Sequence, residues 1–196
     1  MTAKEEFVNA YTNAIKRAGA EKLLNWLQNS TDFFTAPASS RHHLARPCGL
    51  VEHSLNVYDR LRRLVTAEQE SGAAWAKDCS DETVAIVSLL HDVCKANYYK
   101  QDTRNVKQDG KWVQVPYYTV EDQMPYGHGE KSAFIIDRLM RLTVEEATAI
   151  RFHMGGFGQQ PGDYSMTNAY YKYPLAVLTH IADMQATYLD EQEEQP

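Results

Sequence analysis

The chain has 196 residues, 43% hydrophobic and 23% charged, which suits one globular domain with enough apolar side chains for a full core. Its formal net charge of −6 leaves no basic face to attract duplex nucleic acid or anionic lipid. No run approaches the roughly 20 apolar residues of a membrane span. The amphipathic, acidic opening "MTAKEEFVNAY" is unlike a leader peptide, and Cys48, Cys79 and Cys94, lacking paired spacing, read as reduced thiols of a cytoplasmic protein.

In chain order, "KEEFVNAYTNAIKRAG" sets Phe7, Ala10, Tyr11, Ala14 and Ala18 on one helical face, with Gly19 as its end. "AEKLLNWLQN" is a short second helix, so residues 1–30 form an N-terminal helical pair. Residues 30–49, rich in Ser, Pro and Gly, read as a loop, and loops of that length in compact domains are often functional. From about Leu50 to Glu70 the helical period returns, with His53 on the same stripe as Leu50, Val57, Leu61 and Leu64. A linker around "ESGAAWAKDCS" leads to a helix capped by Ser80, with Asp81 and Glu82 suited to its N-terminus and His91 on the side of Val84, Val87 and Leu90.

The period then breaks. "RNVKQDGKWVQVPYY" places Asp109-Gly110 between short alternating runs, which predicts a hairpin near residues 103–118. Helices resume from about Glu130 to Arg141, and Thr143 with Glu146 forms a capping box for "VEEATAIRFHM", which Gly155-Gly156 ends. "FGQQPGDYSMTNAYYKY" reads as a loop, Pro174 opens a last helix to about Leu189, and residues 191–196 read as a frayed acidic tail. The fold class is therefore all-α: a single domain of about seven helices with one small β-hairpin.

Six polar residues sit where these patterns call for core. His53 lies on an apolar stripe, and the pair His91-Asp92 closes a hydrophobic helix. His128 stands immediately before a helix, His153 in the last turn of another, and Asp183 among Ala182, Met184 and Ala186. Singly, each histidine is explained as a hydrogen-bonded core residue and Asp183 as half of a buried ion pair. Jointly, four imidazoles and two carboxylates from five segments are most cheaply satisfied by meeting one another around a divalent cation, which uses neutral imidazole lone pairs and offsets carboxylate charge.

The order "GLVEHSLNV" (His53), "SLLHDVCKA" (His91, Asp92, Lys95) and "LTHIADMQA" (Asp183) resembles the H…HD…D pattern of the HD-domain superfamily of metal-dependent phosphohydrolases, over roughly residues 37–190. "APASSRHHLARPCGLVEHSL" is further similar to the entry of HD domains in a 3′→5′ exoribonuclease branch. The resemblance implies an HD-domain helical bundle. His53, His91, Asp92 and Asp183 would hold a first ion; the interposed His128 and His153 imply a second, with Asp92 bridging. The ions are expected to be divalent, of the kind of Mn, Fe, Zn, Ni or Mg. Lys95 matches the family's HDxxK and would hold a substrate phosphate oxygen; by position alone it is equally a solvated lysine favoured by a helix C-terminus. His43 and Arg46 are expected phosphate contacts; His42 and His180 read as surface or supporting residues, His180 one turn before Asp183. The tyrosines of "NYYK", "VPYYTV" and "AYYKY" could stack a base, or serve packing as tyrosines near loops equally do.

What the resemblance implies about function is a phosphodiesterase or nucleotidase acting on a nucleotide, a cyclic nucleotide or a short RNA end, through a hydroxide shared by two ions. Asp92 and Lys95 would be its catalytic residues, and its partner a small phosphorylated substrate rather than duplex nucleic acid or a membrane. Two alternatives share the same ligands: a di-iron oxygenase acting on a polyol or phosphonate, and a metal-stabilised module that senses a nucleotide without turning it over.

Overall fold

The computed structural model of the protein describes residues 1–108 and 110–192 and begins with a capped helix. The Thr2 hydroxyl accepts the Glu5 N–H while the Glu5 carboxylate accepts the Thr2 N–H, opening α1 (Ala3–Ala14). α1 stops short of the expected Gly19. The Glu82 carboxylate takes the N–H groups of Lys16 (2.7 Å) and Arg17 (2.9 Å), which would otherwise continue the helix, so Ala18 falls in a turn. Gly19, at φ 94°, instead starts α2 (Ala20–Asn29).

The segment 30–48 is irregular, as its composition predicts, but its Phe33, Phe34, Ala36, Ala38 and Leu44 are buried. Phe33 and Phe34 are buried against Phe7, with ring centroids 5.1 and 5.4 Å from it. α3 (Gly49–Ser71) follows, and its Leu50, His53, Val57 and Leu61 face inward. Ser80 caps α4 (Asp81–Leu90) by accepting the Thr83 N–H. Strands β1 (Tyr99–Gln108) and β2 (Lys111–Val120) form one antiparallel ribbon, longer than expected at both ends. Gln108 faces Lys111 across a two-residue turn; Gly110 has φ 80°, and Asp109, the other half of the expected turn, lies outside the described residues.

α5 (His128–Asp137) starts two residues earlier than expected, and α6 (Val144–Arg151) opens with the Thr143–Glu146 capping box. The expected loop after Gly156 contains a helix, α7 (Ser165–Lys172), started by the Asp163 carboxylate on the Ser165 N–H (2.8 Å). Pro174 opens α8 (Pro174–Gln185), which ends in a π turn over Ala186–Asp190. The described residues are thus mostly helical, with eight α-helices and one hairpin.

α3 packs on α1, α4 and α8, and α6 on α4, α5 and α8, around one hydrophobic cluster that runs from Phe7 to Ala186. None of the described helices is long and apolar enough to cross a membrane. One expectation fails at the C-terminal end. Glu191, placed by composition in a frayed tail, is buried, and Asp190 is paired with Arg60. Residues 193–196 of that tail lie outside the described residues.

Candidate metal centre

α4 is buried over seven consecutive residues, so its end is delivered to the middle of the molecule. The helix does not continue through Lys95 as expected. It closes at Leu90, Asp92 takes φ −105° and ψ 19°, and Val93–Lys95 form a 3₁₀ turn. In such a turn residues three apart lie one above the other, which sets the Lys95 Nζ 2.6 Å from Asp92 Oδ2. Lys95 is 9% exposed and therefore not the solvated lysine that its position alone allows. His53 comes from the second turn of α3, His128 from the first residue of α5, and Asp183 from the third turn of α8. His153 stands just past α6 rather than in its last turn.

All six residues meet, and Asp92 is their centre. Its Oδ2 lies 3.6 Å from His53 Nε2 and 3.5 Å from His91 Nε2. Its Oδ1 lies 2.7 Å from His128 Nε2 and 3.4 Å from His153 Nε2. His53 Nε2 is also 3.2 Å from Asp183 Oδ1 and 3.1 Å from His91 Nε2. Each carboxylate oxygen of Asp92 thus serves its own pair of imidazoles.

The donor atoms fit a cation. His91 Nδ1 lies 2.7 Å from the Ser88 carbonyl and His153 Nδ1 2.6 Å from the Ile150 carbonyl. A carbonyl only accepts, so both Nδ1 atoms carry hydrogen, and Nε2 is the nitrogen that each ring turns to the centre and can offer to a cation. His153 Nε2 is buried there without a hydrogen-bond partner. Lone pairs facing lone pairs and carboxylates at these distances require positive charge between them, either protons or metal. Three overlapping groups, His53–His91–Asp92, His91–His153–Asp183 and Asp92–Cys94–His128, each have ligand atoms mutually within 4.8 Å.

The electrostatics point the same way. Burial works against the charged form of His53, but hydrogen bonds to Asp183 and Glu191 outweigh it and raise its pKa to about 9. Burial likewise opposes the Asp92 carboxylate, yet Lys95, His91, His128 and His153 hold it well below the usual range. The pocket therefore attracts cations, and the proton on His53 fills that demand when no other cation does. Cys94, which spacing alone did not single out, lies with Sγ 3.4 Å and 3.6 Å from the two ring nitrogens of His128. That near-equality sets the sulfur over the ring face, and burial pushes its thiol pKa up to about 12.

The centre opens into a cleft of about 1250 Å³. Segment 30–48 supplies one rim. Ser39 donates to the His43 carbonyl (2.9 Å) and accepts the His42 N–H (2.8 Å), while Gly49 lets the chain pass where a Cβ would meet the Leu44 carbonyl oxygen at 2.1 Å. His43, Arg41 and His42 line the cleft. Burial, His53 and Lys95 lower the His43 pKa to about 4, so it faces a ligand as a neutral hydrogen-bonding ring, not a cation. Arg46 departs from expectation. Its guanidinium makes a bidentate pair with Glu52 (2.9 and 2.5 Å), in the first turn of α3, and it is not among the cleft residues.

Met154, Phe157, Met184 and Tyr188 give the cleft its apolar lining. The tyrosines that hinted at base stacking are not among the cleft residues; Tyr170, for example, donates to the Phe152 carbonyl (3.0 Å). His180 does not orient Asp183. Its Nδ1 lies 2.6 Å from the His153 carbonyl oxygen, and Gly155, at φ 61°, makes room where a Cβ would meet that imidazole at 2.8 Å. No protein-family model, curated protein or solved structure matches the chain.

Proposed function

We propose that the protein is an HD-type, two-metal phosphohydrolase of small nucleotides or related phosphoesters. The observation that carries the reading is Asp92: one oxygen toward His53 and His91, the other toward His128 and His153, with Lys95 at 2.6 Å beside the cleft. His53, His91, Asp92 and Asp183 would hold one ion; His128, His153 and the second oxygen of Asp92 would hold the other. Two divalent cations would supply a nucleophile from water at neutral pH and stabilise charge on phosphoryl oxygens.

The chain's own groups do the rest. Lys95, kept charged by Asp92, offers its ammonium to a phosphoryl oxygen as negative charge grows there. His43 and Arg41 offer hydrogen bonds to the phosphate, while Phe157, Tyr188, Met154 and Met184 accept an apolar or aromatic group such as a base. Asp183 and Glu191 orient His53, and the buried walls keep bulk water from Asp92.

The test is elemental analysis of the purified protein together with phosphate release from a nucleotide panel, with and without oxygen. The expected result is two metal equivalents per chain and turnover without oxygen, with His128→Ala and His153→Ala each losing about one equivalent. Unchanged metal content in both variants overturns the two-ion assignment. Iron with oxygen-dependent turnover replaces the reading with the oxygenase, and binding without turnover with the sensing module.

A further inference from the structure

Glu191 carries no function in the motif pattern, yet it is 5% exposed and engaged at every turn. Its Oε1 and Oε2 lie 3.0 and 3.1 Å from His53 Nδ1, and Asn56 Nδ2 donates to Oε1 at 2.9 Å. Its own N–H donates to the Ala186 carbonyl (3.1 Å), closing the π turn that ends α8. The neighbouring Asp190 accepts from Arg60 Nε at 2.8 Å. His53, Asn56 and Arg60 are three and four residues apart, so one face of α3 receives Asp190 and Glu191.

We infer that Glu191 is a positioning residue for the metal centre, holding His53 through Nδ1 and coupling ion binding to the docking of residues 186–191 on α3. The inference rests on the metal reading given above. Its physical basis is a contrast among the ligands. His91 and His153 follow helix ends, where the carbonyl three residues back, Ser88 or Ile150, is at hand for Nδ1. His53 sits inside α3, whose carbonyls are taken by the helix ladder, so its ring needs a partner from another element. Glu191 is that partner. A full carboxylate on Nδ1 fixes the ring so that Nε2 faces Asp92 and Asp183, and strengthens that nitrogen as a donor. By thermodynamic reciprocity, whatever docking adds to ion affinity, the ion adds to docking.

The test uses the full chain stripped of metal and titrated with Mn(II) and, in parallel, Zn(II). Glu191→Ala is expected to weaken binding about 10–100-fold at unchanged stoichiometry, with Glu191→Gln, which keeps an acceptor for Nδ1–H, falling between it and wild type. In hydrogen exchange, metal should slow the amides of residues 186–191 in wild type and do so less in Glu191→Ala. If Glu191→Ala fails to fold, Glu191→Gln and the wild-type exchange pattern carry the same comparison. Wild-type affinity in both variants overturns the inference alone. Loss of a whole metal equivalent overturns it too, because Glu191 would then be a ligand, a role that its grouping with His43 and His53 permits. A wild-type chain that binds neither ion overturns the inference together with the metal reading.

Discussion

At the scale of single residues, the contact between Lys95 and Asp92 sets what a substitution should do. The ammonium and a metal ion compete for the same carboxylate oxygen, Oδ2, so removing the ammonium does not weaken metal binding. Lys95→Met keeps the apolar stem packed and should retain the wild-type metal content. If the ammonium stabilises charge that develops on phosphate, kcat/KM should fall by about 10²–10³, with kcat carrying the loss. Steady-state kinetics on a turned-over nucleotide checks this. A change in KM alone would mean that Lys95 holds the bound substrate and no more, and unaltered kinetics would leave it only the role of partner to a buried carboxylate.

At the scale of elements, one ion cluster ties the N-terminal helices to the rest. Arg17, in the turn between α1 and α2, bonds Glu82 of α4 (3.1 Å) and Glu146 of α6 (2.7 and 2.8 Å). Glu146 is fully buried, closes its own capping box and accepts from Thr83 (3.0 Å). Arg17→Ala leaves that carboxylate buried without its cation and should cost about 3 kcal/mol of stability, read by urea unfolding. Glu82 adds a pH dependence. Burial raises its pKa, but the N–H groups of Lys16 and Arg17 and the Arg17 side chain outweigh this and hold it below the ordinary 4.5. A carboxyl depressed on folding contributes fully above its unfolded value and loses the contribution as pH falls through the folded one. Wild type minus Glu82→Gln should therefore give a stability difference that is constant above about pH 5 and shrinks below about pH 4.5. A difference that does not change with acidification would show that Glu82 works by shape and not by charge.

At the scale of the whole molecule, the helices share one core while the hairpin stands outside it. β1 and β2 pair with each other along their length, and neither makes more than isolated contacts with another element. Tyr99, at the root, is the exception in chemistry, because it lies within electrostatic reach of Lys95. Replacing residues 103–116 by an Asn-Gly turn between the paired Asp102 and Tyr117 keeps that root. The shortened protein should melt within about 3 °C of wild type and hold the same metal, since a change of about 1 kcal/mol moves a domain of this size by only 2–4 °C. A larger drop in a thermal scan would place the ribbon in the cooperative core after all.

Local signals carried far in this sequence. Ser80, Thr143–Glu146 and Pro174 mark real helix starts because caps act within four residues of the chain. The four histidines and two aspartates stood out because a buried polar group needs a partner wherever the chain goes, and periodicity shows which positions are buried. Tertiary structure alone decided what depends on distant partners. Glu82, in α4, accepts the N–H groups of Lys16 and Arg17 just past α1, and the break after Leu90 turns Lys95 onto Asp92. Arg46 pairs with Glu52, six residues on, at the start of α3. Glu191, in a composition that reads as solvated tail, is buried because His53 and Asn56 wait for it 138 and 135 residues earlier. Composition reports the average solvation of a segment, whereas the pairing of one carboxylate is fixed by the fold that brings its partner near.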